Sequence, residues 1–205
     1  QHVQDRGLAA AGMTDQAAEL ATVDAEPDVL EHGRPVFAEA ARETDLSPAR
    51  IFGIIRLESA FMVNARSPVG AMGLMQLMPT TARWVANKMG MKDFSWARVT
   101  APEVNAALGN FYLKTVLNEL DGHPVLASAA YNAGPGRARR WQDAKPLEGA
   151  IYAESIPFDE TRDYVKKVMA NAMYYAAVLG GKQMSLRERM GVVGARGSAR
   201  SNEIP

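Results

Sequence analysis

Apolar residues recur at helical spacing along most of the chain. A long helix is predicted to end near Leu120, because one of its faces collects Val104, Leu108, Phe111, Tyr112, Val116 and Leu120. A second is predicted from near Thr161 to Gly180-Gly181, with an apolar face made by Tyr164, Val168, Ala172, Tyr175 and Leu179. Helices with one apolar face pack against a shared core.

Proline, glycine and small polar residues indicate where helices begin and end. Ser47-Pro48 is typical of a helix start, with a capping serine before a proline at the first helical position. Thr100-Ala101-Pro102-Glu103 fits a capping box for the long helix. The shorter predicted helices run from Ala49 to about Phe61, from Pro79 to Gly90, and from Pro124 to about Tyr131 before the turn Gly134-Pro135-Gly136.

Strand patterns are weak, since the chain lacks a run of alternating β-branched residues and an Asn-Gly turn. We therefore predict an all-α fold with a very small β-like or irregular insertion around Val63–Gly73. Residues 1–45 are expected to be a helical lead-in, helical near Gln16–Val23 and Pro35–Thr44, as would suit the end of a larger helical domain. Residues 46–181 are expected to form the main domain, and residues 182–205 a poorly packed tail.

Composition narrows the class of protein. The chain has 205 residues, 47% of them apolar and 22% charged, as is typical of a globular domain. Basic and acidic residues both number 23, so a nucleic-acid partner is not expected. With no cysteine and only scattered histidines, neither a metal nor another cofactor is expected. We expect a monomer without a transmembrane segment, and the first residues lack a signal-peptide pattern.

One acidic residue falls on an apolar helix face. Ile51, Ile54, Ile55 and Glu58 share one side of the helix that begins near Ala49. Burial would disfavour the charged carboxylate, so we expect a raised pKa for Glu58, which suits a general acid. From spacing alone, a structural glutamate at the edge of the core is the commoner outcome.

Two further segments contain residues suited to a ligand. Gly70–Pro79 combines glycines and methionines with Gln76, which can exchange hydrogen bonds with an amide or hydroxyl. Tyr131-Asn132 lies where a helix turns sharply, and an aromatic ring beside an amide suits carbohydrate. Taken singly, each methionine is better explained as a core residue beside a turn, and helix capping explains Asn132 at least as well as ligand binding does.

Five segments follow one another in order. They are Glu58-Ser59, Ser67-Pro68-Val69-Gly70-Ala71, Gly73-Leu74-Met75-Gln76-Leu77-Met78-Pro79, Ala129-Ala130-Tyr131-Asn132-Ala133-Gly134-Pro135-Gly136, and Glu154-Ser155-Ile156-Pro157 with Glu160-Thr161-Arg162-Asp163-Tyr164-Val165. As an ordered set they resemble the catalytic domain of the soluble lytic transglycosylases, a family with a goose-lysozyme-like fold. The resemblance implies a lysozyme-like helical domain whose substrate is the peptidoglycan glycan strand.

The resemblance also implies the chemistry. Glu58 would protonate the oxygen between N-acetylmuramic acid and N-acetylglucosamine, with help from the muramic acetamido group. It would then deprotonate the C6 hydroxyl of the same sugar, which closes onto C1 as a 1,6-anhydro end without using water. One carboxylate that is acid and then base needs no partner.

The remaining roles are carried over position by position. The resemblance makes Ser67 a residue near the scissile bond, Gln76 and Met78 residues that line the cleft, and Tyr131 and Asn132 a pair over the sugar and its acetamido group. Glu160 and Tyr164 would face the cleft from the last long helix. Glu160 is equally suited to stabilising the start of that helix through the macrodipole.

Two other functions stay open at this stage. A hydrolytic lysozyme of the same fold would need a second carboxylate, for which Asp93, Glu103 and Glu160 are the candidates. A non-catalytic wall-binding module is disfavoured by the intact Glu58, Gln76 and Asn132. Because peptidoglycan lies outside the cytoplasmic membrane, a periplasmic location is expected from the substrate alone.

Overall fold

The structure, a computed structural model, describes residues 36–37, 39–181 and 184–197. Its helices are α1 (Pro48–Ser59), α2 (Pro79–Lys88), α3 (Pro102–Glu119), α4 (Pro124–Ala133), α5 (Pro135–Arg140), α6 (Gly149–Ser155), α7 (Asp159–Val178) and α8 (Leu186–Met190). Residues 36–37 and 39–44 are also helical, and Trp96–Arg98 is a 3-10 turn. β1 (Leu147–Glu148) pairs antiparallel with β2 (Val192–Val193). The predicted all-α class with a very small β element is confirmed.

The core is organised around the contact between α1 and α7. Ile51, Ile54 and Ile55 on α1 are fully buried. At Gly53 the two backbones approach so closely that a Cβ atom would lie 3.1 Å from the Ala172 nitrogen and 3.2 Å from the Val168 oxygen. A larger residue at position 53 would push the helices apart, which explains a glycine inside a helix despite its low propensity.

The five helices predicted within residues 46–181 are confirmed, and Ser47 and Pro48 occupy the N-cap and first helical positions of α1 as predicted, but the capping box predicted for α3 is wrong. The residue that precedes α3 is Ala101, not Thr100, and no side chain caps that helix, so the capping box is absent. Ser47 does precede α1, yet its side chain accepts no hydrogen bond from the helix. Both helices begin with a proline, whose missing N–H and fixed φ favour a helix start without a capping side chain.

Short elements escaped prediction. Helix α5 begins immediately after Gly134, which separates it from α4 through a φ of 90°. The two-residue strands β1 and β2 are too short to show an alternating pattern. The β-like insertion near residues 63–73 is confirmed by isolated antiparallel bridges that pair Met72 with both Arg66 and Leu77.

The expectation of a poorly packed tail is wrong for residues 184–197. Ser185 and Glu188 form a capping box at the start of α8. Met190 and Val193 are buried in the core, and the Gln142 side chain donates a hydrogen bond to the Gly194 carbonyl at 3.0 Å. Residues 182–183 and 198–205 lie outside the described residues. The segment packs because its apolar residues contact core residues that are distant in sequence, and no local pattern reveals such contacts.

The end of the helical lead-in also contacts the core. Phe37 is buried and its ring meets the edge of Phe52 on α1, with 5.4 Å between ring centroids. The predicted helix at Gln16–Val23 lies outside the described residues, as does Pro35. The boundary of the main domain at residue 46 stays a prediction.

One histidine, His123, lies at the N-cap of α4 and is influenced by charges on α1 and in the preceding turn. Burial has the largest effect on His123 and lowers its pKa below the ordinary value. The positive charge of Arg50 also lowers the pKa, while the Val192 carbonyl and Asp121 raise it. Burial likewise lowers the pKa of Arg50, and the charge of Arg189 adds to that effect. His123 is therefore uncharged in the folded protein near neutral pH.

We expect the free energy of unfolding to decrease as the pH falls from about 7 to 5.5, because the unfolded chain protonates His123 more readily than the folded chain does. Since the pKa is lower in the folded state, the stabilisation is present above the unfolded pKa of about 6.5 and is lost as the pH falls below it. Urea denaturation at several pH values measures this slope, and His123→Gln should reduce it. Identical slopes for the two proteins would show that His123 is not responsible.

Candidate active site

Glu58 lies in the last turn of α1 and is only 5% exposed. The hydroxyl of Tyr164, on α7, donates a hydrogen bond to Glu58 Oε1 at 2.6 Å. This length is typical of a strong O–H bond to a carboxyl oxygen. The expectation that Glu58 shares a buried face with the isoleucines of α1 is confirmed, while its raised pKa stays a prediction.

The chain turns abruptly just after Glu58. Ala60 and Phe61 both adopt positive φ angles, 47° and 64°, which non-glycine residues rarely do. The Phe61 ring is buried against Phe52 and Tyr175, with centroid separations of 5.9 and 6.1 Å. Aromatic packing thus holds a strained turn, and α1 ends one residue beyond the carboxyl group.

Ser67 closes a tight turn with Ala71. Its hydroxyl oxygen accepts a hydrogen bond from the Ala71 N–H at 2.9 Å, and its own N–H donates to the Ala71 carbonyl at 3.0 Å. Gly70 supplies the positive φ of 92° that the turn needs. The hydroxyl hydrogen of Ser67 takes no part in these two bonds.

Gln76 holds the following loop together. Its side-chain amide donates to the carbonyl oxygens of Gly73, at 2.8 Å, and Ala65, at 3.1 Å. The residue has a φ of 44°, and its side-chain oxygen Oε1 is buried without a hydrogen-bond partner among the described residues. Met78, half-buried, directly precedes α2. Gln76 therefore shapes the loop and leaves one acceptor unused.

Asn105, on α3, anchors the same loop and was missed by the sequence analysis. Its side-chain oxygen accepts from the Met75 N–H at 2.7 Å, while its amide donates to the carbonyls of Val99 at 2.8 Å and Met72 at 3.1 Å. A Cβ at Gly73 would lie 2.3 Å from the Asn105 amide nitrogen. A polar residue one turn before Leu108, on the apolar face of α3, was the available signal.

Tyr131 completes the support of the loop from α4. Its hydroxyl donates to the Met75 carbonyl at 2.9 Å, and its ring packs edge-on against Tyr112 at 5.5 Å between centroids. The backbone N–H and carbonyl of Met75 are thus bound by Asn105 and Tyr131, respectively. Tyr131 is only 4% exposed, and its hydroxyl acts on the backbone of this loop.

Asn132 is oriented by Thr161, the second residue that the sequence analysis missed. The Thr161 hydroxyl donates to Asn132 Oδ1 at 2.7 Å, and both side chains are almost completely buried. This bond identifies the oxygen side of the amide, and Nδ2 has no partner among the described residues. Nothing in the sequence distinguished Thr161 from an ordinary residue of a first helical turn.

Helix α7 brings these two groups together. Thr161 and Tyr164 are three residues apart and so lie on one face of the helix, with a rise of about 4.5 Å between them. Asn132 binds the first and Glu58 the second. A carboxyl group and a side-chain amide are therefore both bound to one face of α7.

The other predicted acidic residues are more peripheral. Glu160, in the first turn of α7, is half-buried, four residues before Tyr164. Asp93 and Glu103 are exposed, and Asp93 lines a separate cavity of about 230 Å³ between the 3-10 turn and α3. Among the described residues, no group of three or more histidine, aspartate or glutamate side chains is arranged to hold a metal ion.

Known protein families match most of the described chain. Residues 35–151 match the family described as Transglycosylase SLT domain, and residues 155–183 match the Soluble lytic transglycosylase helical domain. The soluble lytic murein transglycosylase of Salmonella typhimurium is 40% identical over 151 residues, which is 72% of this chain and 23% of that protein.

Solved structures of lytic transglycosylases share the fold of this chain. An inactive mutant of the lytic transglycosylase Slt of Pseudomonas aeruginosa superposes with a TM-score of 0.71 and 46% identity, over 73% of this chain and 25% of that one. The 70-kDa soluble lytic transglycosylase of Escherichia coli gives 0.68 and 32%, over 82% and 27%. The lysozyme-like helical fold is thus confirmed. The chain spans about a quarter of the length of these proteins.

We expect Asn105→Ala to lower the free energy of unfolding by about 2–3 kcal/mol, because it leaves the buried Met75 N–H without its acceptor. Urea denaturation measures the loss. Asn110→Ala is the matched control: Asn110 is equally buried on α3, but neither atom of its amide has a partner among the described residues. Equal losses for the two variants would mean that the loss of side-chain volume, not of the anchor, destabilises the protein.

Proposed function

The chain belongs to the transglycosylase SLT domain family, and from this membership we propose that it is the catalytic part of a peptidoglycan lytic transglycosylase. Such a lyase cleaves the β-1,4 bond between N-acetylmuramic acid and N-acetylglucosamine and leaves 1,6-anhydromuramic ends. The observation that carries the proposal is the buried Glu58 carboxyl group, bound by Tyr164 beside the Asn132 amide.

Glu58 is first the acid. Its proton passes to the glycosidic oxygen as the bond to the muramic C1 breaks, and the acetamido oxygen of that sugar supports C1 from below the ring. Glu58 is now a carboxylate, and the Tyr164 hydroxyl stabilises this charged form through a charge-assisted hydrogen bond. Tyr164 thereby also fixes the orientation of the carboxyl group.

Glu58 is then the base. It takes the proton of the C6 hydroxyl of the muramic residue while the C6 oxygen bonds to C1, which releases the acetamido group and restores the acid. Water is neither consumed nor produced, and the enzyme returns to its starting protonation state. Because one carboxyl group carries the proton in both steps, the reaction needs no second carboxylate. It therefore does not require Asp93 or Glu103, which are exposed.

Asn132 is proposed to bind the acetamido group of the sugar. Its Nδ2 is a buried donor with no partner among the described residues, and the Thr161 hydroxyl prevents the amide from turning its oxygen toward the ligand. A carbonyl acceptor from the substrate would satisfy this donor.

The other residues are proposed to border the glycan. Ser67 offers a hydroxyl hydrogen, Gln76 an unused carbonyl oxygen, and Met78 a half-buried apolar side chain. Tyr131 shapes the border by holding Met75, and Glu160 adds negative charge from α7.

The proposed location is the periplasm, because peptidoglycan lies outside the cytoplasmic membrane, and the proposed state is a monomer. Within the described residues, no helix is both long and apolar enough to cross a bilayer.

Product analysis tests the reaction. Digestion of peptidoglycan is expected to give fragments ending in the anhydro sugar, one water lighter by mass spectrometry than hydrolysed ends. Glu58→Gln keeps the side-chain shape but removes the acid, so activity should fall by about 10²- to 10⁴-fold. Glu103→Gln, an exposed carboxyl group, is the control and should retain activity. Products with reducing ends would identify a hydrolase instead.

Thr161→Val keeps the volume of the side chain and removes the hydroxyl that orients Asn132. We expect kcat/KM to fall by about 10-fold, a loss typical of one neutral hydrogen bond, with an unchanged pH–rate profile because Glu58 is untouched. Thr161→Ser should restore the activity. Steady-state kinetics on purified glycan strands measure both variants, and a serine variant as impaired as valine would refute the orienting role.

A further inference from the structure

We propose that His123, Arg189 and Arg50 form a binding site for a small oxyanion such as phosphate, apart from the candidate active site. This inference goes beyond the proposed function and does not depend on it. The three residues, called the cationic cluster below, come from three helices. Arg50 lies in the first turn of α1, His123 is the N-cap of α4, and Arg189 lies in α8.

The cationic cluster contains buried nitrogen atoms that the protein leaves without an acceptor. Both ring nitrogens of His123 and Nε of Arg189 are buried, and none of them has a hydrogen-bond partner among the described residues. The Val192 carbonyl raises the pKa of His123 without meeting the geometry of a hydrogen bond. An arginine Nε is always protonated and is only ever a donor. Since buried polar groups are normally satisfied, these atoms indicate an acceptor from outside the chain.

The packing of α8 against α4 brings Arg189 toward His123. Arg189 lies two residues before Gly191, which ends α8. A Cβ added to Gly191 would lie 3.6 Å from His123 Nε2 and, beyond its chain neighbours, would meet no other described atom within 4 Å. The absence of a side chain at Gly191 therefore leaves room for a ligand atom beside this ring nitrogen.

Positive charge accumulates in the cationic cluster. Burial lowers the pKa of Arg50, and the charge of Arg189 lowers it further. Burial also lowers the pKa of His123, and the charge of Arg50 adds to that effect. The three side chains are thus close enough to repel one another when charged. A bound anion would turn this repulsion into attraction.

Neighbouring acidic residues are not available to neutralise the two arginines. Glu188 accepts a hydrogen bond from the Ser185 N–H at 2.8 Å as part of the capping box of α8. Glu148 is paired with Arg187 at 3.1 Å. Asp121 acts on the histidine, but it is exposed in the turn before α4. An anion from solution would both satisfy the buried donors and offset the guanidinium charges.

The chemistry of the cationic cluster favours a small, doubly charged oxyanion. Guanidinium groups bind the oxygens of phosphate and carboxylate through paired N–H donors. Two guanidinium charges attract a dianion more strongly than a monoanion. Because the unpartnered nitrogen atoms are buried, the ligand must be small enough to reach them. Free phosphate meets this condition better than a phosphate carried by a lipid headgroup.

The cationic cluster lies at the other end of α1 and α4 from the candidate active site. Arg50 and Glu58 are separated by a rise of about 12 Å along α1, and His123 and Asn132 by about 13.5 Å along α4. A bound anion would therefore join the beginnings of these two helices to α8 without contacting the groups proposed to bind the glycan.

Phosphate titration followed by NMR tests the site. At constant ionic strength, maintained with sodium chloride, the ring signals of His123 should shift saturably as phosphate is added. The pKa of His123 should rise, because a bound anion favours the imidazolium. The signals are identified by their loss in His123→Gln. Arg189→Gln and Arg50→Gln should each weaken phosphate binding by about 10- to 100-fold, as expected for a hydrogen bond to a charged group.

Arg187→Gln is the matched control, because Arg187 is an exposed arginine of the same helix and is paired with Glu148. It should bind phosphate like the wild type. Thermal unfolding separates a ligand site from a structural arginine. Without phosphate, Arg189→Gln should not lower Tm, because it removes an unpaired charge. Phosphate should raise Tm more in the wild type than in Arg189→Gln, since only the wild type gains from binding.

Three outcomes would overturn the site. Ring signals of His123 that do not respond to phosphate would show that the buried donors bind water only. Equal phosphate affinity of the wild type and Arg189→Gln, with circular dichroism showing both folded, would exclude the arginine. Vesicles that contain an anionic phospholipid should leave the ring signals unchanged, and a shift that Arg189→Gln abolishes would assign the cationic cluster to a lipid headgroup instead of a free anion.

Discussion

The close packing of α1 against α7 is the constraint on which the site depends. The backbones meet at Gly53, where a Cβ would lie 3.1 Å from the Ala172 nitrogen, and since Glu58 meets the earlier residue Tyr164, α1 and α7 run antiparallel. Five residues further along α1, this crossing brings Glu58 to the Tyr164 hydroxyl. Since packed interiors admit little change in volume, the missing side chain at Gly53 sets the distance between the two helices. That distance in turn sets the position of the Glu58 carboxyl group.

The loop of residues 65–77 is held mainly by polar side chains. Asn105 binds the Met75 N–H, Tyr131 binds the Met75 carbonyl, and Gln76 binds the carbonyls of neighbouring turns. Buried backbone groups outside helices and sheets need such partners. Two separate helices, α3 and α4, and a side chain of the loop itself therefore hold the loop in one conformation before any ligand is present, which reduces the ordering that binding requires.

Several features of the fold and site were predictable because their causes are local. Helical spacing and prolines gave the five principal helices with bounds close to those observed, and the apolar face of α1 placed Glu58 toward the interior. The roles of Asn105 and Thr161 were not predictable, because each depends on a partner more than 25 residues away that no local pattern encodes. The packing of residues 184–197 escaped prediction for the same reason.

By itself, the sequence determined the helical class, the buried direction of Glu58 and the ordered segments that indicate the family, since periodicity, proline positions and residue types are properties of neighbouring residues. The tertiary structure decided how these parts meet. It paired Glu58 with Tyr164, oriented Asn132 through Thr161, and turned Gln76 and Tyr131 toward the loop backbone. Hydrogen bonds of this kind join distant segments, and only the packing of α1, α4 and α7 brings their donors and acceptors within reach.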